Sequence, residues 1–214
     1  MLNVYPLLKP ALQSSYAKIG GKLIPKATVY LNQVVITNLH WLADTIDVLD
    51  GLCLLNSVVW GQSDANLIVY CDASLESLAF YIPSFDSAFF SPIPQQPPHF
   101  HIFFYEALSI VSALAFCVGL QPPSHRLLIY SDSMNTVDMF HSIKAYDEYN
   151  HLPLFAIHPL LPQTTSLRVF HITGTENTIA NVVSHGLFHV ASAIHPHLHF
   201  HNFKPPWDAM GAAL

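Results

Sequence analysis

The chain has 214 residues, of which 51% are hydrophobic and only 10% are charged, and its mean hydropathy is +0.35. This length suits one large domain, or one domain with an appendage, and the apolar content is sufficient to fill a core. The 14 acidic and 8 basic residues give a formal charge of −6, which argues against a generic polyanion binder because phosphate contacts require Lys and Arg.

Cysteine usage and the N-terminal residues bear on the cellular compartment. The three cysteines, Cys53, Cys71 and Cys117, have no short pair spacing. The N-terminus lacks the charged start and long apolar run of a secretory leader. An odd, sparse set of cysteines without such a leader is typical of a reducing compartment. We therefore expect an intracellular protein, either cytoplasmic or nuclear.

The N-terminal part is predicted to be helical. Residues 1–25 are mixed in character and contain prolines, whereas residues 26–55 carry apolar side chains at steps of three and four. This spacing predicts a helix, which breaks at Asp50-Gly51. The apolar positions are Leu31, Val34, Val35, Leu39, Leu42, Ile46 and Leu49.

Three strands and a long helix are predicted next. Residues 66–72 form an apolar run typical of a strand, and residues 78–82 and 88–93 predict a second and a third strand. The proline-rich stretch 92–98 predicts a loop, since proline removes hydrogen-bond donors from a sheet. A helix is then predicted from about 104 to 119, where Gly119 is a typical stop.

The second half of the chain alternates between strands and helices. Residues 127–131 are apolar at every position but the last, which predicts a strand covered on both faces, as in parallel sheets. Further elements are a helix to about residue 144 capped by Asp132-Ser133, a short helix over 153–161, a strand over 167–172 and a short helix over 175–185. The order of elements predicts an α/β fold with a mixed sheet of five strands.

Three acids stand at the ends of these predicted elements. Asp72 ends the first strand, Asp132 ends the fourth, and Glu106 lies in the first turn of the long predicted helix. A buried carboxylate is costly unless it is paired or bound to a metal. If the two strands are adjacent and parallel, both aspartates reach the same end of the sheet, and Glu106 can point at that edge. Three such oxygen ligands suit Mg²⁺ or Mn²⁺ better than zinc.

Four sequence blocks resemble one known family. They are Cys71-Asp-Ala-Ser74, Tyr105-Glu-Ala-Leu108, Tyr130-Ser-Asp-Ser133 and the long block Phe170–Ser184. The last block is similar to the signature His-x-x-Gly-x-x-Asn-x-x-Ala-Asp-x-x-Ser. Together the blocks resemble the ribonuclease H domain of retrotransposon reverse transcriptases. The N-terminal helix and the C-terminal tail also look like the flanking sequences of fungal elements of the tyrosine-recombinase (DIRS-like) class.

The resemblance implies a fold, a reaction and partners. It implies an RNase H-like domain over 65–187, preceded by a helical connection segment over 1–64 and followed by a His-rich tail over 188–214, which we expect to be poorly ordered. The implied activity is endonucleolytic cleavage of the RNA strand of an RNA–DNA hybrid, with two Mg²⁺ or Mn²⁺ ions held by three acids. The implied partners are that hybrid and the reverse transcriptase domains of a parent polyprotein. The implied metal ligands are Asp72, Glu106 and Asp132.

The sequence departs from the family pattern in three respects. The fourth carboxylate of the family is Asn181 here, an amide that implies a weaker, water-orienting role. Two glycines that the family carries after the first aspartate are Ser77 and Ala79 in this chain, and basic residues are few. These departures keep a second hypothesis open, in which the chain is a catalytically inactive RNase H-like scaffold or a transposon remnant.

Two further segments allow other interpretations. Residues 102–120 are about as long as a membrane span, which leaves a membrane-associated helical protein as a third hypothesis. However, Glu106 would be costly in a bilayer and strand-like segments stand on both sides, so we expect a buried helix and no membrane. A run of histidines allows a zinc site as a minor alternative. They are His185, His189, His195, His197, His199 and His201.

Overall fold

The computed structural model describes residues 9–21, 28–47, 60–93, 102–122, 124–143 and 165–206. Two N-terminal helices, α1 (Lys9–Ile19) and α2 (Gln33–Asp47), pack against each other. The side-chain amide of Asn38 donates a hydrogen bond of 2.9 Å to the hydroxyl of Ser14. The helix predicted over 26–55 is present as the shorter α2, since residues 28–32 are not helical. Residues 26–27 and 48–55 of the prediction lie outside the described part of the chain.

A mixed sheet forms the centre of the fold. Its strand order is β5-β4-β1-β2-β3-β6, in which β1 and β4 are parallel, as are β4 and β5. Strand β2 runs antiparallel to both β1 and β3, whereas β6 is parallel to β3. The strands are β1 (Leu67–Ala73), β2 (Ser77–Ile82), β3 (Ser87–Pro92), β4 (Arg126–Ser131), β5 (Ser166–His171) and β6 (His199–Asn202).

The prediction of five strands was one too few. All five predicted strands are present, but the segment after residue 187 adds β6 at the edge of the sheet. This strand contains a single large apolar residue, Phe200, between His199 and His201. A four-residue strand of this composition gives almost no hydrophobic pattern, and it is held by backbone pairing to β3, which sequence periodicity does not reveal.

Four helices accompany the sheet. The described helices after β3 are α3 (Ile102–Val118), α4 (Met134–Ser142), α5 (Thr178–Ser184) and α6 (Phe188–Ile194). The first three correspond to predicted helices, whereas α6 lies in the segment predicted to be a tail. The short helix predicted over 153–161 lies outside the described residues.

Apolar side chains from both faces of the sheet form two cores. Since successive strand residues point to opposite faces, Val69 and Ile129 pack with Leu108 of α3 on one side. On the other side, Tyr81 packs in a cluster with Val183 of α5. In β4 the consecutive side chains of Leu127, Leu128 and Ile129 are all buried, so this strand is covered on both faces, as predicted.

The long apolar helix α3 lies against the sheet. It has 17 residues, most of them buried, and it packs on β1 and β2. Among the described residues, none of the helices combines the length and apolar character required to cross a membrane.

Candidate metal centre

The three acids predicted from the sequence meet at one edge of the sheet. Asp72 is the second-last residue of β1, and Asp132 directly follows β4. Because Cys71 pairs with Ser131 in the parallel register, the two aspartates follow at the same level of adjacent strands. Glu106 comes from α3. This helix begins at Ile102, earlier than predicted, so Glu106 lies in its second turn and not in the first.

These carboxylates form a compact group. One oxygen from each of Asp72, Glu106 and Asp132 lies within 4.8 Å of the other two. Asp72 is only 3% exposed and Glu106 9%, whereas Asp132 is half-buried. The cluster is therefore closed on the side of β1 and α3, and Asp132 lies at its more open side.

Burial and mutual repulsion disfavour negative charge in this cluster. Removal from water, together with the nearby carboxylates of Asp72 and Asp132, raises the pKa of Glu106 to about 9. Burial likewise raises the pKa of Asp72 to about 7, against the lowering effect of a hydrogen bond from Ser184, and Asp132 adds to the rise. Without a cation, the ionised group is thus destabilised by its own charges.

The donor set fits a hard divalent cation. The Oε2 atom of Glu106 is buried and has no hydrogen-bond partner. Within the described ranges, no Lys or Arg forms an ion pair with these acids. A buried acceptor without a partner in an anionic cluster is the arrangement that a bound cation would satisfy. Asp72, Glu106 and Asp132 could therefore hold a metal ion, and carboxylate oxygens favour Mg²⁺ or Mn²⁺ over softer metals.

Helix α5 contacts the cluster at both of its ends. At its N-terminus, the Asn177 amide nitrogen donates a hydrogen bond of 2.8 Å to the carbonyl of Cys71 and lies 3.4 Å from Oδ1 of Asp132. At its C-terminus, the Ser184 hydroxyl donates to Oδ2 of Asp72. Asn177 and Ser184 are both completely buried. The helix therefore links the two strands that carry the aspartates.

The turn before α5 also contacts Asp132. A Cβ atom on Gly174 would lie 3.0 Å from Oδ2 of Asp132, so this position accepts only a very small residue without a shift of its neighbour. The exposed His171 places its Nε2 atom 3.2 Å from the backbone carbonyl oxygen of Asp132. This turn thus packs directly on the open side of the acid cluster.

These contacts were not predicted from the sequence, although the block that contains the residues was singled out. Of the block 170–184, only Asn181 was predicted as a site residue, whereas the structure places four others against the acids or their backbone. The spacing of the block could have indicated them, because it resembles the signature quoted above at these same four positions. They are His171, Gly174, Asn177 and Ser184.

Asn181 lies on the helix face that points to the cluster. It is four residues after Asn177 and three before Ser184, and residues so spaced share one face of a helix. It is half-buried, and its backbone carbonyl oxygen lies 2.7 Å from the Ser184 hydroxyl. Asn181 therefore shares a helix face with the two residues that contact the aspartates, and its amide adds no charge to that face.

The histidine run does not form a metal site in the described part of the chain, where every group of three or more close ligands is drawn from the acid cluster. His195 instead forms an ion-pair geometry with Asp86, at 3.2 Å. The ring of His201 stacks on Phe89 with centroids 5.1 Å apart. These histidines attach the C-terminal segment to the β2–β3 region.

Comparisons with known proteins leave the family undetermined. No protein-family model matches the chain, and no curated protein matches its sequence.

Proposed function

We propose that this chain is an RNase H-type nuclease domain that hydrolyses the RNA strand of an RNA–DNA hybrid with the help of divalent cations. The observation that carries the proposal is the convergence of Asp72, Glu106 and Asp132, with a buried, unpartnered oxygen on Glu106. Few arrangements other than a cation site give a reason for three carboxylates within 4.8 Å of one another in a largely buried position.

Three further observations support this choice among nucleases. The acids occur in the order Asp, Glu, Asp along the chain: in the first strand, in helix α3 and directly after the fourth strand. The mixed sheet with β4, β1, β2 and β3 side by side is compatible with an RNase H-like fold. In addition, the residues that resemble the closing signature of the family are the ones that contact the acids or their backbone. The resemblance therefore falls on residues that support the acid cluster.

In this proposal each site residue would have a separate role. Asp72 and Asp132, fixed on adjacent strands, and Glu106, fixed on α3, would hold the cations at one edge of the sheet. Bound divalent cations supply Lewis-acid stabilisation of the negative charge on the scissile phosphate. Asn181, which can both donate and accept hydrogen bonds, would orient a water molecule from the open side.

Substrate binding would depend on more than this chain. The described basic residues are few, and one of them, Arg168, stacks over the Trp60 ring at 4.7 Å. Because backbone phosphates are bound mainly by Lys and Arg, the affinity for a hybrid duplex would come largely from the other domains of a parent reverse transcriptase. The 2′-hydroxyl groups would identify the RNA strand.

The proposal is tested with purified protein and an RNA–DNA hybrid labelled on the RNA strand. We expect cleavage of the RNA strand with Mg²⁺ or Mn²⁺ and none with EDTA. Asp72→Asn should abolish the cleavage, whereas Asp138→Asn, an exposed acid on α4, should leave it unchanged. Activity that persists in D72N would point to a contaminant, and a wild type that binds no divalent cation would overturn the proposal.

The second candidate is an inactive scaffold of the same fold, and the observation in its favour is the uncharged Asn181 on the helix face of Asn177 and Ser184. If the wild type binds Mn²⁺ but does not cleave, and Asn181→Asp restores cleavage, the loss lies at this residue. If N181D also binds Mn²⁺ without cleaving, the loss lies in substrate binding. Cleavage by the wild type at a rate similar to that of N181D would exclude the scaffold hypothesis.

A further inference from the structure

The C-terminus of α5 is capped by side chains from the β1–β2 turn. The last carbonyl groups of a helix have no partner within the helix. Here the carbonyl of Ser184, the final residue of α5, accepts two hydrogen bonds of 2.7 Å, from the hydroxyls of Ser74 and Ser77. All three serines are buried. The end of α5 is therefore fixed to the turn that directly follows the strand of Asp72.

The turn itself is held by the same hydroxyls. Ser74 Oγ accepts hydrogen bonds from the backbone nitrogens of Glu76, at 3.0 Å, and Ser77, at 3.1 Å. The backbone nitrogen of Ser74 in turn donates to the carbonyl of Ser77 at 3.0 Å. Hydrogen bonds within the turn thus hold the two serines that cap α5. Their positions in turn fix the position of the last residue of α5.

The side chain of the capped residue reaches the acid cluster. The Ser184 hydroxyl donates to the carboxyl of Asp72 and also lies 2.7 Å from the carbonyl of Asn181. Asp72 is the most deeply buried of the three acids, and Ser184 is the hydrogen-bond donor that the structure places on its carboxyl group. The orientation of this carboxyl group therefore depends on the position of the end of α5.

We infer that Ser184 is a positioning residue, held in place by Ser74 and Ser77, that orients the Asp72 carboxylate and so sets the cation affinity of the cluster. The inference rests on the proposed cation site and goes beyond it, because it assigns a role to hydroxyls that would not touch a cation. It also gives Ser77, which stands where the resembling family carries glycine, a function in this chain. Hydrogen-bonded partners of metal ligands commonly change metal affinity about 10–100-fold.

The test is a titration of the full chain with Mn²⁺ alone, followed by electron paramagnetic resonance and calorimetry. For Ser184→Ala we expect the Mn²⁺ dissociation constant to rise about 10–100-fold. Ser184→Thr, which keeps the hydroxyl, should recover most of the affinity. The matched control is Ser112→Ala, because the Ser112 hydroxyl is also buried and bonds a carbonyl of its own helix at 2.7 Å, but contacts no acid.

A purely structural role for Ser184 predicts another result. S184A and S112A would then lose similar stability and bind Mn²⁺ equally well, which would overturn the inference while leaving the cation site intact. If S184A does not fold, the double variant S74A/S77A tests the same point, since it leaves the Ser184 hydroxyl present but removes its support. Unchanged Mn²⁺ affinity in that variant would overturn the inference. Absence of Mn²⁺ binding by the wild type would overturn the proposed function and the inference together.

Discussion

Gly174 faces the carboxylate of Asp132 so closely that a methyl group there would lie 3.0 Å from its Oδ2 atom. The half-buried Asp132 is the least enclosed of the three acids, so its position depends on such packing from the adjacent turn. The small size of residue 174 is therefore a condition for the present shape of the cluster.

Gly174→Ala is expected to displace the Asp132 carboxylate by a few tenths of an ångström and to weaken Mn²⁺ binding, on the order of 10-fold, as other changes next to metal ligands do. Calorimetric titration measures the effect. The control is Gly61→Ala, where the added atom would meet its nearest neighbour, Oδ2 of Asp64, at 3.7 Å, an ordinary contact. Equal affinities of G174A and the wild type would contradict the importance of this contact.

The acid cluster should make the metal-free protein less stable as the pH rises. The unfolded chain releases the protons of Asp72 and Glu106 near pH 3.8 and 4.5, whereas the folded protein holds them to about 7 and 9. The folded state therefore binds more protons between these values, and linkage requires its stability to be greatest below this window and to fall through it. Urea unfolding in EDTA at a series of pH values measures this slope.

Glu106→Gln should remove the largest part of that slope. At pH 9 we expect the metal-free variant to be more stable than the wild type by on the order of 2 kcal/mol, because a buried charge without a partner is no longer formed. At pH 4 the two proteins should be nearly equal in stability. Saturating Mn²⁺ should reverse the order, since it stabilises only the protein that binds it. A parallel pH dependence in both proteins would exclude Glu106 as the source.

The stability of the protein should depend on the side-chain amide nitrogen of Asn177. Asn177→Asp keeps the shape but replaces the N–H donor by an acceptor that faces the Cys71 carbonyl and the Asp132 carboxylate. Loss of a buried hydrogen bond, with both acceptors left unpaired, is expected to cost about 2–3 kcal/mol in the free energy of unfolding. The same substitution at Asn202, which is exposed on β6, should cost much less. Comparable losses at the two positions, measured in urea, would argue against the bridging role.

Trp60 attaches the segment before the sheet to the edge strand β5. Its Nε1 atom donates a 2.8 Å hydrogen bond to the Ser166 hydroxyl, and only 2% of the residue is exposed. Trp60→Ala should cost about 3–5 kcal/mol, as other buried large-to-small changes do. Trp60→Phe and Ser166→Ala should each cost about 1 kcal/mol, and the double variant little more than either one. Additive losses in this cycle would show that the hydrogen bond contributes nothing.

The sequence was sufficient to predict the meeting of Asp72 and Asp132 because the relevant pattern is local. Each acid ends a short apolar run, and two buried parallel strands have their carboxyl ends at the same edge of a sheet. Glu106 was predicted in the first turn of its helix but lies in the second, since nothing in the sequence before it marks the first residue of α3.

The contacts of α5 and the existence of β6 could not be predicted in the same way. Ser184 and Asn177 are small polar residues that occur on many exposed helix surfaces, and they are buried because α5 docks on β1 and β2. Strand β6 depends on backbone pairing with a distant strand, and its side chains are mostly exposed. The alternation of His199 and His201 would suit one face of a strand, but the segment was predicted to be a poorly ordered tail, with zinc binding as a minor alternative.

The pairing of β6 with β3 has a consequence for where the folded unit ends. A fragment cut after residue 187, the predicted end of the domain, would leave the backbone donors and acceptors of β3 without their partners from β6. It would also uncover Phe90, which packs against Phe188 with ring centroids 4.7 Å apart. Open, apolar strand edges recruit strands from other molecules. We therefore expect the histidine-rich segment through Pro206 to limit self-association, and a fragment without it to form oligomers.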